Sequence, residues 1–238
     1  MPISWSRRFR APIAAAGLMA LLSLPGGNGA MAADEPLWPE SFLTRVEALA
    51  LIQGLNADLL ASRSATLTLE AWCRTHRLAD PPTVVAHLDR SVDKPATAEQ
   101  RRRLEVADDE PVRFRRVRLY CGDKLLSEAD NWYVPGRLTA GMNRILDSTD
   151  TPFGKAVLEL GPTRQTFAAR MLWSPLPDGW EQAPVPTASP APAGAGPIMV
   201  PDALFEHRAL LFTAGRVPFS EVAEVYQRQL LAFPPPPR

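Results

Sequence analysis

The sequence predicts an α+β fold: an antiparallel sheet of about five to six strands with helices packed on one face. Three observations predict it. Two pairs of period-two segments flank short turns at Gly122-Asp123-Lys124 and Ala214-Gly215-Arg216, the pattern of hairpins. Segments with apolar residues at helical spacing frame these hairpins, as expected where helices cover one face of an antiparallel sheet. Hydrophobic residues make up 46% of 238, enough for a real core in one domain or at most two small ones.

In chain order, the first 32 residues read as an export signal. Arg7, Arg8 and Arg10 form a positive start, Ala11 to Pro25 an apolar stretch, and Ala30-Met31-Ala32 a small-x-small cleavage site, so cleavage falls before Ala33. The alternative is an uncleaved anchor, but 15 apolar residues are short of the roughly 20 a spanning helix needs. The mature protein is then periplasmic or secreted, with no stable membrane anchor.

The domain proper spans 33–233. Trp38 to Leu60 carries a helical apolar face through Phe42, Val46, Leu49, Ile52, Leu55 and Leu59. Ser64 and Thr66 are N-cap types ahead of a shorter helix with Leu69, Trp72, Cys73 and His76 on one face. Thr83 to Leu88 reads as a strand, and Thr97 begins a short charged helix to Arg103. Val112 to Cys121 and Leu125 to Val134 form the first hairpin. Leu138 to Leu146 and Pro152 to Leu160 read as short helices, with Pro152 suited to a first turn. Thr163 to Trp173 is a strand, and Ala203 to Phe212 with Pro218 to Leu231 form the second hairpin.

Between them, residues 174–201 hold eight prolines in 28 residues, and 234–238 form a proline-rich tail. The inserted loop suits an extended spacer, with a proline-dependent partner as the alternative. Loop, tail and N-terminal segment together hold 15 of the 25 prolines, which leaves the folded part an ordinary share.

Charge excludes other classes. The 26 Lys and Arg balance 26 Asp and Glu, and loss of three N-terminal arginines leaves the mature chain at −3. That balance lacks the cationic footprint of nucleic-acid binding. Two cysteines are too few for a disulfide scaffold or a four-thiolate zinc site, and the three histidines, His76, His87 and His207, have no ligand spacing. No metal or cofactor is implied, and the common phosphate, nucleophile and metal motifs do not occur.

Charge inside strand patterns is the remaining signal. Alternation sets Val117, Leu119 and Cys121 on one face and Arg116, Arg118 and Tyr120 on the other, while Val222, Glu224 and Tyr226 share a face of the last strand. A strand arginine and a strand glutamate facing one cavity can hold two ends of a small ligand. A solvent-facing ladder of ion pairs is the alternative.

The order Arg116-x4-Cys121-Gly-Asp, Trp132-Tyr-Val-Pro135, Asp150-Thr-Pro-Phe-Gly154, then a Gly-x-x-Pro218 turn with Glu224-Val-Tyr226, resembles chorismate lyase over roughly 58–231. The ligand-sensing domains of GntR-type repressors share that fold. The resemblance implies that Arg116 binds a substrate carboxylate and that Glu224 contacts the ring hydroxyl or ether oxygen. It also implies that Phe153 and Ala65 offer main-chain contacts. Such a set suits a guanidinium–carboxylate pair and a helix N-terminus. The implied function is an exported carbon–oxygen lyase, eliminating pyruvate from chorismate or a related aromatic carboxylate precursor to give 4-hydroxybenzoate. The alternative is a non-catalytic periplasmic binding module for a small aromatic carboxylate.

Several positions depart from the family's pattern. Phe153 replaces a leucine, Asn131 replaces an arginine, Glu221 competes with Glu224 as the site acid, and the proline loop is an insertion. Export also conflicts with chorismate, a cytoplasmic intermediate. In an oxidising compartment Cys73 and Cys121 can pair, or both remain buried thiols.

Overall fold

The computed structural model describes residues 38–184 and 196–237. The expected export signal, the central part of the proline-rich loop and the last tail residue lie outside them. Six strands, β1 (Val84–Asp89), β2 (Arg113–Cys121), β3 (Lys124–Tyr133), β4 (Thr163–Met171), β5 (Ala203–Phe212) and β6 (Pro218–Gln227), form one antiparallel sheet. The order is β1-β2-β3-β6-β5-β4. The two expected hairpins, β2–β3 and β5–β6, join along β3 and β6, where Ala129 pairs with Glu224 and Asn131 with Val222. The architecture is the α+β fold read from the sequence.

One face of the sheet carries the main core. Helix α1 (Phe42–Ala61) buries Ala48, Ile52, Leu55 and Leu59 there, one stripe at helical spacing. Each of its large aliphatics contributes about 1.5–3 kcal/mol on burial. Helix α2 (Ala65–Thr75) buries Leu69 and Cys73. Both start at a serine whose hydroxyl accepts an early backbone N–H: Ser41 from Thr44, Ser64 from Leu67. Cys73 and Cys121 are both fully buried and form a disulfide, which resolves the alternative left by the sequence.

Helix α3 (Ala98–Arg103), opened by a capping box between Thr97 and Gln100, rests on the opposite face. Leu104, Trp132 and Val134 make a smaller cluster there. Arg103 seals it with a two-pronged ion pair to the buried Glu221, at 2.7 and 2.8 Å. Glu221 therefore faces away from Glu224, and strand parity settles which of the two belongs to the main-core side.

Helix α4 (Ala140–Ser148) starts at Thr139, whose hydroxyl accepts from Met142. The helix expected over 152–160 is shorter: α5 covers only Phe153–Ala156, followed by a single 3-10 turn that ends at Gly161, where φ is +57°. Glycine takes that left-handed conformation at less cost than a residue with a Cβ. The last strand stops at Gln227, and Arg228–Leu231 turn into a 3-10 helix held by two indoles: Trp72 donates to the Leu230 carbonyl and Trp38 to that of Leu231. Among the described residues, no helix is long and apolar enough to cross a membrane.

Candidate functional site

The starts of α2 and α5 converge over the centre of the sheet because one of them carries a glycine. A Cβ added to Gly154 would stand 3.0 Å from Thr66 Oγ1 and 3.1 Å from Ser64 Oγ, so any larger residue would push the helices apart. Beneath them lies an open cavity, whose empty volume of about 550 Å³ includes the solvent at its mouth. Its walls are mainly apolar, from Val117, Leu119, Ala129, Leu211 and Val222 of the sheet and Pro162 beside it, and the exposed Arg63 borders it.

Three of the four residues expected at a site meet here. Ala65, Phe153 and Glu224 all line the cavity, Ala65 and Phe153 as the first residues of their helices. The bulk of Phe153 is accommodated by ring contacts with Tyr133 and Phe219 at 5.5 and 6.3 Å. Asn131 also lines the cavity and accepts a hydrogen bond from the Ser220 hydroxyl.

Arg116 is the correction. Its side chain lies on the other face of the sheet, where it grips Asp130 in a two-pronged pair at 2.6 and 2.8 Å that Lys94 joins. That contact raises the Arg116 pKa. Asp130 pays desolvation, yet Arg116 and Lys94 still hold its carboxyl below the usual range. The cause is the pleat: positions 115, 117, 119 and 121 of β2 are the buried ones. Arg115, not Arg116, therefore shares the inward face with Val117 and Leu119.

Arg115 is 5% exposed and sits directly across from Asn131 in the β2–β3 register. Its Nη2 donates to the Thr151 carbonyl at 3.1 Å, just ahead of Pro152 and Phe153. Nε and Nη1 are buried with no partner among the described residues. Burial pushes its pKa down to about 10. Arg115 does not line the cavity beneath α2 and α5; it borders a separate open polar cleft with Asp89, Arg90 and Asp147.

At the far end of the cavity Glu224 meets Arg164, which sequence reasoning passed over. Arg164 Nη2 donates to Glu224 Oε2 at 2.6 Å, and the Tyr226 hydroxyl donates to the same oxygen at 3.0 Å. Burial acts to lower the Arg164 pKa, but Glu224 and Tyr226 outweigh it and the pKa is raised; burial raises that of Tyr226. His207 pairs across the strands with Glu224 and bonds through Nε2 to Asn56 Oδ1 at 2.8 Å. Arg164 Nε, Thr166 Oγ1 and His207 Nδ1 are buried without partners among the described residues. Among those residues no group of His, Cys, Asp or Glu is arranged to hold a metal.

Arg115 was accessible to sequence reasoning through its parity with Val117. Arg164 was not, because β4 is a mostly exposed edge strand with polar residues on both faces.

No family model matches the chain. Among solved structures it resembles the chorismate lyase-like domains of GntR-type regulators. It is similar to the effector domain of PhnF from Mycobacterium smegmatis at 12% identity, covering 69% of this chain and 88% of that one with a TM-score of 0.44. It is similar to a GntR-family transcriptional regulator from Enterococcus faecalis at 13% identity, covering 60% and 93% with a TM-score of 0.37. For YydK from Bacillus subtilis the identity is 15% and the TM-score 0.38, with 65% of this chain covered and only 62% of that chain, less than two thirds of its length. In sequence, 51% identity over 201 residues joins it to the uncharacterized protein y4mC of Sinorhizobium fredii. With 84% of this chain and 83% of that protein covered, the chain belongs to the y4mC family.

Proposed function

We propose that the protein is an exported binding module that takes a small aromatic carboxylate into the cavity beneath α2 and α5 without turning it over. The observation that carries this reading is the cavity itself, whose mainly apolar walls hold the buried Arg164–Glu224 pair and are bordered by Arg63. The Arg63 guanidinium, exposed at the cavity wall just before α2, can meet a carboxylate through two parallel hydrogen bonds. The N-terminus of α2, eleven residues long, adds a positive dipole beside it. The apolar walls suit an aromatic ring, and Glu224 receives a hydroxyl at the far end.

Binding is favoured over elimination of pyruvate by the placement of Glu224. Elimination calls for a proton at the departing enolpyruvyl group. Glu224 already accepts from both Arg164 and Tyr226, so it stands as an acceptor rather than a donor. Export rests on the basic and apolar N-terminal pattern, and the Cys73–Cys121 disulfide is the covalent feature that oxidising compartments permit.

Titration calorimetry of the protein lacking residues 1–32 with 4-hydroxybenzoate tests this, together with a pyruvate assay on chorismate. The expected result is saturable binding and no pyruvate. Arg63→Met should weaken binding several-fold, in line with up to about 1 kcal/mol for an exposed ion pair, whereas Arg116→Met should leave it unchanged. Absence of binding, or equal loss in both variants, refutes the site; pyruvate release restores the lyase.

A further inference from the structure

We infer that the polar cleft beside Arg115 is a second binding site, separate from the cavity, and that it takes a small zwitterion of the α-amino acid type. The ligand's carboxylate sits on Arg115 and Arg90, and its ammonium faces Asp93 and Asp89.

The cleft lies where the end of β1 and the start of β2 meet the end of α4, and it shares no lining residue with the cavity beneath α2 and α5. Strand register brings its two arginines together. Leu88 pairs with Val117 and Asp89 with Arg116, so the next position, Arg90, falls beside Arg115, close enough for the two charges to act on each other. Neither has a carboxylate partner among the described residues. Arg90 donates to the Asp147 carbonyl at 2.6 Å and Arg115 Nη2 to that of Thr151 at 3.1 Å, while Arg115 Nε and Nη1 are idle. The Asp147 carboxylate is already engaged by Arg113 at 3.0 Å. Arg115 is 5% exposed, and with a pKa of about 10 it remains charged at neutral pH. A buried cation without a counter-ion is costly, and a carboxylate shared with Arg90 relieves that cost through charge-assisted hydrogen bonds.

The same cleft carries acids. Asp89 accepts from the Ser91 amide and hydroxyl, and Asp93 has no ion-pair partner among the described residues. A plain carboxylate answers the arginines but meets the repulsion of these two aspartates, and a plain amine meets the reverse. A zwitterion is neutral overall and presents both signs on one carbon, so it answers both. The nearly buried Arg115 supplies the firmer hold, and the exposed Asp93, screened by water, supplies the selection.

Three probes differing by one charged group test this by NMR titration of the nitrogen-15-labelled protein at pH 7: L-alanine, propionate and ethylammonium. The backbone amides of Arg90, Asp93 and Arg115 and the Arg115 Nε–H report the site. Alanine is expected to shift them saturably, with propionate at least threefold weaker and ethylammonium without effect. Arg115→Met should abolish the alanine response. If that variant does not fold, Asp93→Asn at the exposed rim decides, since it should weaken alanine at least threefold and leave propionate no weaker. Equal affinity for alanine and propionate overturns the zwitterion match. Alanine shifts at Ala65 and Phe153 with none at Arg115 would place the ligand in the cavity and overturn the second site, as would no saturable shift with any probe; neither result bears on 4-hydroxybenzoate binding in the cavity.

Discussion

Arg164 on β4 and Glu224 on β6 are not on neighbouring strands; their side chains meet at 2.6 Å across β5. The crossing is open because the inward residue of β5 between them is small. Ala209 pairs with Thr166 on one side and Val222 on the other, and it carries only a methyl group into the gap. The edge strand is thereby tied to the centre of the sheet, so the ion pair that lines the cavity also holds β4.

Breaking this pair on one side should be costlier than removing it whole. Either Arg164→Met or Glu224→Met leaves an uncompensated buried charge and should destabilise the fold by about 3–5 kcal/mol. The double variant should recover much of that loss, because methionines of similar length fill the space and no charge is stranded. Urea unfolding of the three variants checks this. Additive losses in the double variant would mean that the two side chains act independently.

The same cluster should make stability depend on pH through His207. Burial lowers its pKa below the ordinary 6.5; Glu224 pulls it up and Arg164 pulls it down again. An imidazole with a depressed folded-state pKa binds protons more readily in the unfolded chain. Stability is therefore complete above pH 6.5 and falls as the pH drops below it, by about 1.4 kcal/mol for each unit of depression. His76, stacked at 4.0 Å on Phe233 and tilted against Trp72 at the same distance, is likewise lowered by burial and adds to the same slope. His207→Gln keeps a donor for Asn56 and should flatten the fall in Tm between pH 7 and 5. An unchanged slope would assign the whole effect to His76.

Where one face of an element is apolar, the sequence was enough. The stripe Ala48, Ile52, Leu55 and Leu59 and the alternation through Val117, Leu119 and Cys121 specify a helix and a strand whatever surrounds them. The arginine assignment failed for the opposite reason. A short motif match placed Arg116 in the site, while the pleat put Arg115 beside Val117, and a one-residue difference in a strand reverses the face. Glu224 and Glu221 could be separated only by what covers each face, and that depends on α3 and Arg103, more than a hundred residues away in the chain. Arg164 became visible only with the β4–β5–β6 pairing, because nothing local marks it as inward.

The disulfide is likewise a tertiary fact, and its position makes a prediction. Cys73 and Cys121 are separated by 48 residues, so in the chain-entropy view their bond restricts the unfolded state by about 4 kcal/mol at most. It also joins the two walls of the cavity. Cys73 lies two turns along α2 from Ala65, and Cys121 is two inward positions beyond Val117 on β2. Glu70 gives α2 a second hold, accepting from the Val84 amide and from Lys155 of α5. With that hold intact, Cys73→Ala with Cys121→Ala should still fold, with a lower Tm and a larger rise in hydrogen exchange at Ala65, Thr66, Phe153 and Gly154 than in the strands of the sheet. Exchange that rises uniformly across the protein would show that the bond stabilises the fold as a whole and does not brace the cavity.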